Sequence, residues 1–261
     1  MSPNIQLTIQ GEGQPFIWLH GMLNSVESDS LYSLIDLNKV SEIASVIRYD
    51  ACGKSVSGNY QWDAMTEQLK EVVEACQIDS MVIAGTSMGS VTALHYAVMY
   101  PEKVKALILV TPPPAWENRE AVKAVYRKIA SKVNQRTIPE FLKRLIALNE
   151  DPPDFFELEH PGTRQRLMEY RLEFDPLYYS QIYLGGAASD LPSRELIASI
   201  QAPTLIVALP DDQNHPLNIA RELNGLIGRS ELRVVSDYKG YLDLQNEVQE
   251  FLIEIGRNNK L

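Results

Sequence analysis

A serine between two glycines is the feature of this sequence that most directly suggests chemistry. The stretch VIAGTSMGSVTALHYA places Ser87 between Gly85 and Gly89, after an apolar run and before a helical pattern. Such a pattern favours a sharp strand-to-helix turn, in which side chains at the two glycine positions would collide. At a helix start, free N–H groups and the helix dipole stabilise negative charge. Ser87 is therefore a candidate nucleophile, provided that a base removes its proton.

The elements that must position this serine alternate along the chain. Short runs rich in branched apolar residues lie at 5–9, 16–20, 45–49, 81–85, 106–110, 204–209 and 232–235. Several are apolar without alternation, which is typical of parallel strands buried on both faces. Helical patterns lie between them, at 63–77, 87–99, 216–227 and 244–256. The sequence therefore predicts an α/β fold with a mostly parallel sheet flanked by helices.

One long segment interrupts this alternation. It carries consecutive helical patterns with no convincing strand between them, at 117–135, 138–150 and 162–174. It opens with three prolines and is rich in aromatic rings, which either line an apolar pocket or form a small core of the segment's own. We therefore predict a core formed by residues 1–112 and 192–261 and a helical cap insertion at 113–191.

Charge and composition bear on partners and location. The net charge is −10 and 45% of the residues are apolar, which argues against a nucleic-acid or membrane partner and favours a small-molecule substrate. The oligomeric state is not predictable. No signal peptide or membrane-spanning run is recognisable, so a cytoplasmic location is expected. Cys52 and Cys76 match no metal or redox spacing, and neither a metal nor an organic cofactor is predicted.

Two further motifs lie around the serine. WLHGM (18–22) ends an apolar run in a His-Gly step, and RYDACGKSVSG follows a later run. With the glycine-flanked serine, these motifs resemble the α/β-hydrolase superfamily over about residues 5–112 and 193–257. In the second motif Cys52 and Ser55 replace the usual Arg and Gly. The resemblance implies an α/β-hydrolase fold with an inserted cap and hydrolysis by an activated serine.

The resemblance also implies roles on the oxyanion side of the serine. His20 would prop the loop that contains Gly21. The backbone N–H groups of Met22 and Met88 would hold the negatively charged oxygen of the reaction intermediate.

The acid of the family lies after a later strand, and APTLIVALPDDQNHP (202–216) is similar to that strand and loop. In the family's Gly-x-x-Asp-x-x-x-Pro pattern, Leu209 replaces the glycine, Asp212 is the acid and Pro216 is the proline. The adjacent Asp211 remains an alternative.

The base is where the resemblance fails. The family carries a histidine after the last strand, in a Gly-His step before the final helix, and this chain has Gly240-Tyr241 there. A neutral tyrosine, with an ordinary pKa near 10, is a poor proton acceptor at neutral pH. Tyr241 therefore does not inherit the role by position.

Four histidines remain as candidates: His20, His95, His160 and His215. His20 lies on the oxyanion side. His95 follows the serine by eight residues on one predicted helix, about 12 Å along its axis, and is expected to be structural. His160 lies in a predicted loop of the cap, where a solvated histidine is the ordinary outcome although a cleft position stays open.

His215 follows Asp212 by three residues, so a turn can bring the two side chains together. Pro216 favours an extended backbone at His215 and is suited to the first position of a helix. One interpretation is that His215 is the base of Ser87. The other is that the His-Pro step only begins a helix and that the serine has no base.

Three functions are consistent with these observations. The first is a serine hydrolase acting on an ester, thioester or lactone of a small, partly apolar molecule through an acyl-enzyme on Ser87. The second is a lyase or cyclase on the same scaffold, and the third is a ligand-binding protein that has lost turnover. The last two are motivated by the missing family histidine.

Overall fold

The computed structural model describes residues 7–54, 57–133, 140, 144 and 151–258. The strands are β1 (Leu7–Gln10), β2 (Gln14–Leu19), β3 (Ala44–Tyr49), β4 (Met81–Thr86), β5 (Val104–Val110), β6 (Thr204–Ala208) and β7 (Ser230–Val234). The helices of the first half are α1 (Ser28–Leu31), α2 (Leu37–Ser41), α3 (Trp62–Ala75), α4 (Met88–Met99) and α5 (Arg119–Lys132). Those of the second half are α6 (Asp154–Glu159), α7 (Thr163–Leu172), α8 (Pro176–Ala187), α9 (Arg194–Ala198), α10 (Leu217–Leu226) and α11 (Tyr238–Asn258). Each strand overlaps a run predicted from the sequence. The predicted helix 138–150 and Ser55 fall almost wholly outside the described residues.

The strands form one sheet in the order β1-β3-β2-β4-β5-β6-β7. β1 runs antiparallel to β3, and every other neighbouring pair is parallel. The chain therefore continues on opposite sides of β2, with β3 on one side and β4 on the other. In open α/β sheets, ligands bind beyond the carboxyl ends of the strands at such a switch point. The loops after β2, β4 and β6 all emerge at that edge.

Apolar side chains cover both faces of the sheet. Along β2, Ile17 belongs to the cluster that packs on α3, α4 and α10, whereas Phe16 and Trp18 belong to the cluster on α2 and α11. The five residues of β6 are all buried, as expected of a central parallel strand. Each buried branched side chain contributes about 1.5–3 kcal/mol of transfer free energy. The sheet is therefore a rigid base for the loops at its carboxyl edge.

The segment between β5 and β6 contains helices and no strand among its described residues. Its buried rings do not form a separate small core. Tyr178, Tyr179 and Tyr183 of α8 belong to the same apolar cluster as Trp62 of α3, and Tyr60 packs edge-on against Tyr178 at 5.4 Å. The division into core and cap stays a prediction, since the two parts share these contacts.

The final helix begins earlier than the sequence pattern predicts. We expect a start at residue 244, but α11 begins at Tyr238. The cause is local, because the Asp237 side chain accepts a hydrogen bond from the Gly240 N–H at 2.7 Å and caps the first turn. Among the described residues, no helix is long and apolar enough to cross a bilayer.

Candidate active site

The turn after β4 holds Ser87 in an uncommon backbone conformation, with φ 50° and ψ −112°. The Ser87 N–H donates to the Val110 carbonyl of β5 at 2.9 Å, and the Ser90 hydroxyl donates to the Ser87 carbonyl at 2.6 Å. A Cβ on Gly85 would overlap the backbone of Gly89, and one on Gly89 would overlap the Leu19 carbonyl of β2. The glycines are required because three backbone segments pass within contact distance here.

Ser87, His215 and Asp212 form one hydrogen-bonded chain. The Ser87 Oγ lies 2.8 Å from the His215 Nε2, and the His215 Nδ1 lies 2.7 Å from the Asp212 Oδ2. The Asp212 Oδ1 accepts the backbone N–H groups of Asn214 at 2.9 Å and of His215 at 3.1 Å. Both carboxylate oxygens are therefore used in fixing the imidazole. The structure thus brings together the three residues that the sequence nominates as nucleophile, base and acid.

The electrostatics of the loop favour an ionised Asp212. Burial by itself raises the pKa of this carboxyl, but the hydrogen bond and electrostatic attraction of the His215 imidazole, together with two backbone N–H groups, outweigh burial and hold the pKa below its ordinary value. An ionised carboxylate only accepts hydrogen bonds, so the His215 Nδ1 carries a proton and its Nε2 is left to accept from Ser87. The alternative acid, Asp211, is exposed.

The Asp-x-Asn spacing of Asp212 and Asn214 is a further sequence signal for the conformation of this loop. An aspartate often accepts the backbone N–H two residues ahead, in an Asx turn. That turn directs the chain so that His215 returns toward Asp212. Pro216 lies one position before the helix, and Leu217 is the first residue of α10.

On the other side of the serine, His20 fastens the loop after β2. Its Nε2 accepts the Ala51 N–H at 2.9 Å, and its Nδ1 therefore donates to the Gly21 carbonyl at 2.8 Å. Burial lowers the pKa of His20, against the opposing effect of the Gly21 bond. Both nitrogens of a neutral His20 are thus occupied by backbone groups, and neither is directed to the serine hydroxyl.

The two N–H groups expected to bind an oxyanion belong to the residue after Ser87 and to the loop after β2. Met88 is the first residue of α4, where an N–H has no partner within the helix. Gly21 packs against the turn, so that a Cβ placed on it would lie 3.6 Å from the Ser87 Cβ. Met22 follows directly in this loop. The use of these N–H groups in oxyanion binding remains a prediction.

Comparison with known proteins supports the fold. A sequence profile of the family described as alpha/beta hydrolase fold matches residues 14–240. The chain belongs to this family. The match and the sheet order together confirm the α/β-hydrolase fold that the sequence motifs predict.

The relatives of this α/β-hydrolase-fold protein are distant. The AB hydrolase superfamily protein YisY of Bacillus subtilis is 29% identical over 235 residues, which cover 85% of this chain and 83% of the relative. The 2-hydroxy-6-oxo-2,4-heptadienoate hydrolase of Pseudomonas putida is 24% identical and covers 91% and 89%. The solved structure of a thermophilic esterase from Thermogutta terrifontis gives a TM-score of 0.81 at 20% identity, covering 97% and 94%. The names of these proteins do not indicate one common substrate, and the structural likeness shows the fold alone.

In this α/β-hydrolase-fold protein the short connection between β7 and α11 sets the surroundings of Tyr241. Only three residues, 235–237, connect β7 to α11. Tyr241 is consequently helical and 9% exposed, and it stacks on Tyr238 at 5.6 Å and meets Phe156 edge-on at 5.4 Å. Burial raises the pKa of Tyr241 well above its ordinary value. It is therefore a neutral packing residue, at the position where the resemblance of the sequence implies a histidine.

The side chains of the two remaining histidines, His95 and His160, contact residues other than Ser87. His160 packs on Phe156 with ring centroids 4.5 Å apart, and its Nε2 lies 3.0 Å from the Tyr238 hydroxyl. The His95 Nε2 lies 2.9 Å from the Asp190 carbonyl. Within residues 7–54, 57–133 and 151–258, no group of three or more His, Cys, Asp or Glu side chains is arranged to hold a metal ion.

Proposed function

We propose that this protein is a serine hydrolase that cleaves an ester, thioester or lactone of a small, partly apolar molecule. The observation that carries the proposal is the chain of hydrogen bonds from Ser87 through His215 to Asp212, with distances of 2.8 and 2.7 Å. These distances lie within the reach required for proton transfer to a general base. The three residues fill the roles of a Ser-His-Asp triad although the histidine comes from an unusual position.

In the proposed mechanism, the Ser87 Oγ bonds to the acyl carbon while the His215 Nε2 takes the hydroxyl proton. The carbonyl oxygen becomes an oxyanion, which the N–H groups of Met22 and Met88 stabilise. Collapse of this intermediate breaks the bond to the leaving group, which receives the proton from His215. Water then attacks the acyl-enzyme with the same base, releasing the acid and restoring Ser87. Asp212 stabilises the imidazolium that forms in each half of the cycle.

The partly apolar character of the substrate is supported by the surroundings of Met22. The Met22 side chain reaches Gly186 of α8, beside the ring of Tyr126, and Tyr126 contacts Tyr183 edge-on at 5.2 Å. These neighbours present sulfur and ring surface next to the proposed oxyanion donor. Such surroundings favour an apolar acyl or leaving group over a highly charged one.

The test is the variant Ser87→Ala, assayed with p-nitrophenyl esters and with a fluorophosphonate probe. We expect wild-type protein to form a covalent adduct on Ser87 and to release p-nitrophenol. The variant should lose the adduct and nearly all turnover. Full turnover by Ser87→Ala would exclude the proposal.

The alternatives of a lyase, a cyclase or a silent binding protein were motivated by the absence of a base. Because His215 lies 2.8 Å from the Ser87 Oγ, this reason for the alternatives no longer holds. A wild-type protein that neither labels at Ser87 nor hydrolyses any ester would favour them again.

A further inference from the structure

Two neighbouring residues of α7 bind two neighbouring residues of the loop after β2. The Tyr170 hydroxyl lies 2.5 Å from the Ser25 Oγ, and the Arg171 Nη2 donates to the Asn24 Oδ1 at 2.7 Å. This loop, residues 20–25, is the one that contains Met22. The helical segment therefore contacts the proposed oxyanion side of the site through directed polar bonds.

Asn24 is a central residue of this contact. Its N–H donates to the Gly21 carbonyl at 3.2 Å and closes a turn around Met22. Its side chain also donates to the Asp29 Oδ1 at 3.2 Å, and the Asp29 Oδ2 accepts the Trp18 indole N–H at 2.5 Å. The chain of bonds thus runs from α7, through the loop, to β2. A displacement of Asn24 would move the Met22 N–H with it.

The turn needs such external support. Leu23, between Met22 and Asn24, has a φ of 64°, a region that bulky residues rarely adopt. A backbone of this kind persists when the surrounding structure over-determines it. The bonds from Asn24 and its neighbours supply that constraint.

Burying the Arg171 side chain has a large desolvation cost. Its side chain is 2% exposed, it pairs with Asp151 at 2.6 Å, and its Nε and Nη1 have no protein partner among the described residues. Burying an ion pair gives little net stability, because desolvation offsets much of the attraction. We therefore attribute to the hydrogen bonds of Arg171 a role in fixing the position of the loop more than in stabilising the fold.

We propose that Arg171 and Tyr170 are positioning residues, which hold loop 20–25 so that the Met22 N–H points at the oxyanion. This inference rests on the proposed function. It makes the helical segment a determinant of the chemical step. An oxyanion donor acts in the transition state, so its misplacement lowers kcat more than it changes KM.

The test compares Tyr170→Phe, Arg171→Met and Arg171→Lys with Arg166→Met. Arg166 is the matched control, because it lies on the same helix, is exposed, and bonds within α7 to Thr163. We expect Tyr170→Phe and Arg171→Met to lower kcat for p-nitrophenyl butyrate by about ten- to hundredfold, a part of the effect of losing an oxyanion donor. KM should change by less than about threefold. Arg171→Lys should recover part of the rate and Arg166→Met should match wild type.

A second readout separates positioning from general damage. A trifluoromethyl ketone forms an oxyanion on the serine, so its affinity should fall by the same factor as kcat/KM across the variants. Thermal unfolding identifies any variant that fails to fold. Tyr170→Phe loses only one hydroxyl, so if Arg171→Met fails to fold, the kcat of Tyr170→Phe is the measurement that tests the inference. Unchanged kcat in folded Tyr170→Phe and Arg171→Met would overturn the inference. A wild-type protein without labelling at Ser87 would instead contradict the proposed function, and this inference with it.

Discussion

At the scale of single residues, the position of His215 depends on one carboxylate. Asp212 holds the imidazole Nδ1 with one oxygen and two backbone N–H groups with the other. The local loop therefore sets both the orientation of the ring and its tautomer. This arrangement makes the contribution of Asp212 measurable by an isosteric change.

Asp212→Asn should lower kcat/KM for p-nitrophenyl esters by about 10³- to 10⁴-fold. An amide can donate to the Nδ1, which stabilises the tautomer with a proton on Nε2 and removes the acceptor for Ser87. The control is Asp211→Asn, an exposed neighbour that should leave the rate unchanged. Equal losses in both variants would show that Asp212 has no particular role.

A second residue, Asp29, makes folding stability depend on pH. Burial raises the pKa of Asp29 to about 7, against the opposing hydrogen bonds of Trp18 and Asn24. Between its ordinary pKa of 3.8 and 7, the folded state holds a proton that the unfolded chain releases. The unfolded state then binds fewer protons, so this group lowers the free energy of unfolding as pH rises through that window.

Asp29→Asn should remove this fall in the free energy of unfolding with rising pH, because an amide does not titrate. Relative to wild type, the variant should gain on the order of a few kcal/mol in free energy of unfolding between pH 4 and pH 8. Urea denaturation at a series of pH values measures the difference. A difference independent of pH would contradict the prediction.

At the scale of elements, the turn between β4 and α4 depends on close backbone approach. Gly89→Ala should lower the free energy of unfolding by about 2–3 kcal/mol and reduce activity, since the new methyl overlaps the Leu19 carbonyl. Gly225→Ala is the control, because a Cβ there meets nothing within 4 Å and the site is helical. It should be neutral or slightly stabilising. Equal stability of the two variants would refute the role given to Gly89.

The sequence predicts those features that depend on local spacing. The turn around Ser87 follows from glycines two residues away on each side, and the contact of Asp212 with His215 follows from a spacing of three. The bond between Arg171 and Asn24 joins residues 147 apart, and no periodicity signals it. The apolar pattern of α11 begins only after the capping Asp237, so the pattern predicts too late a start for this helix.

At the scale of the whole molecule, the apolar cluster on one face of the sheet is continuous with the helical segment. Arg119 of α5 strengthens this connection. It is fully buried, donates to the Gly186 carbonyl at 2.6 Å, and lies over the Trp62 ring at 4.3 Å. Its hydrogen bond to Gly186 connects α5 with α8, and its cation–π contact with Trp62 connects α5 with α3.

Arg119→Met should lower the free energy of unfolding by about 3 kcal/mol, because buried carbonyls lose a charged donor. Far-ultraviolet and near-ultraviolet circular dichroism should still report one coincident transition in urea, since the segment and the sheet share a core. Lys128→Met, an exposed change on the same helix, should match wild type. Two separate transitions in wild-type protein would show that the segment unfolds independently.

The placement of acid and base on one loop has a consequence for protein engineering. Residues 209–216 carry both side chains and the N–H groups that orient them, and they begin at a buried strand and end at a helix start. Their mutual geometry thus travels with a short peptide, without help from the chain that follows. The loop is suited to grafting as one cassette into other sheets of this order. The strand and helix after residue 229 contribute no side chain to the proposed triad, and they serve to extend the sheet and to cover one of its faces.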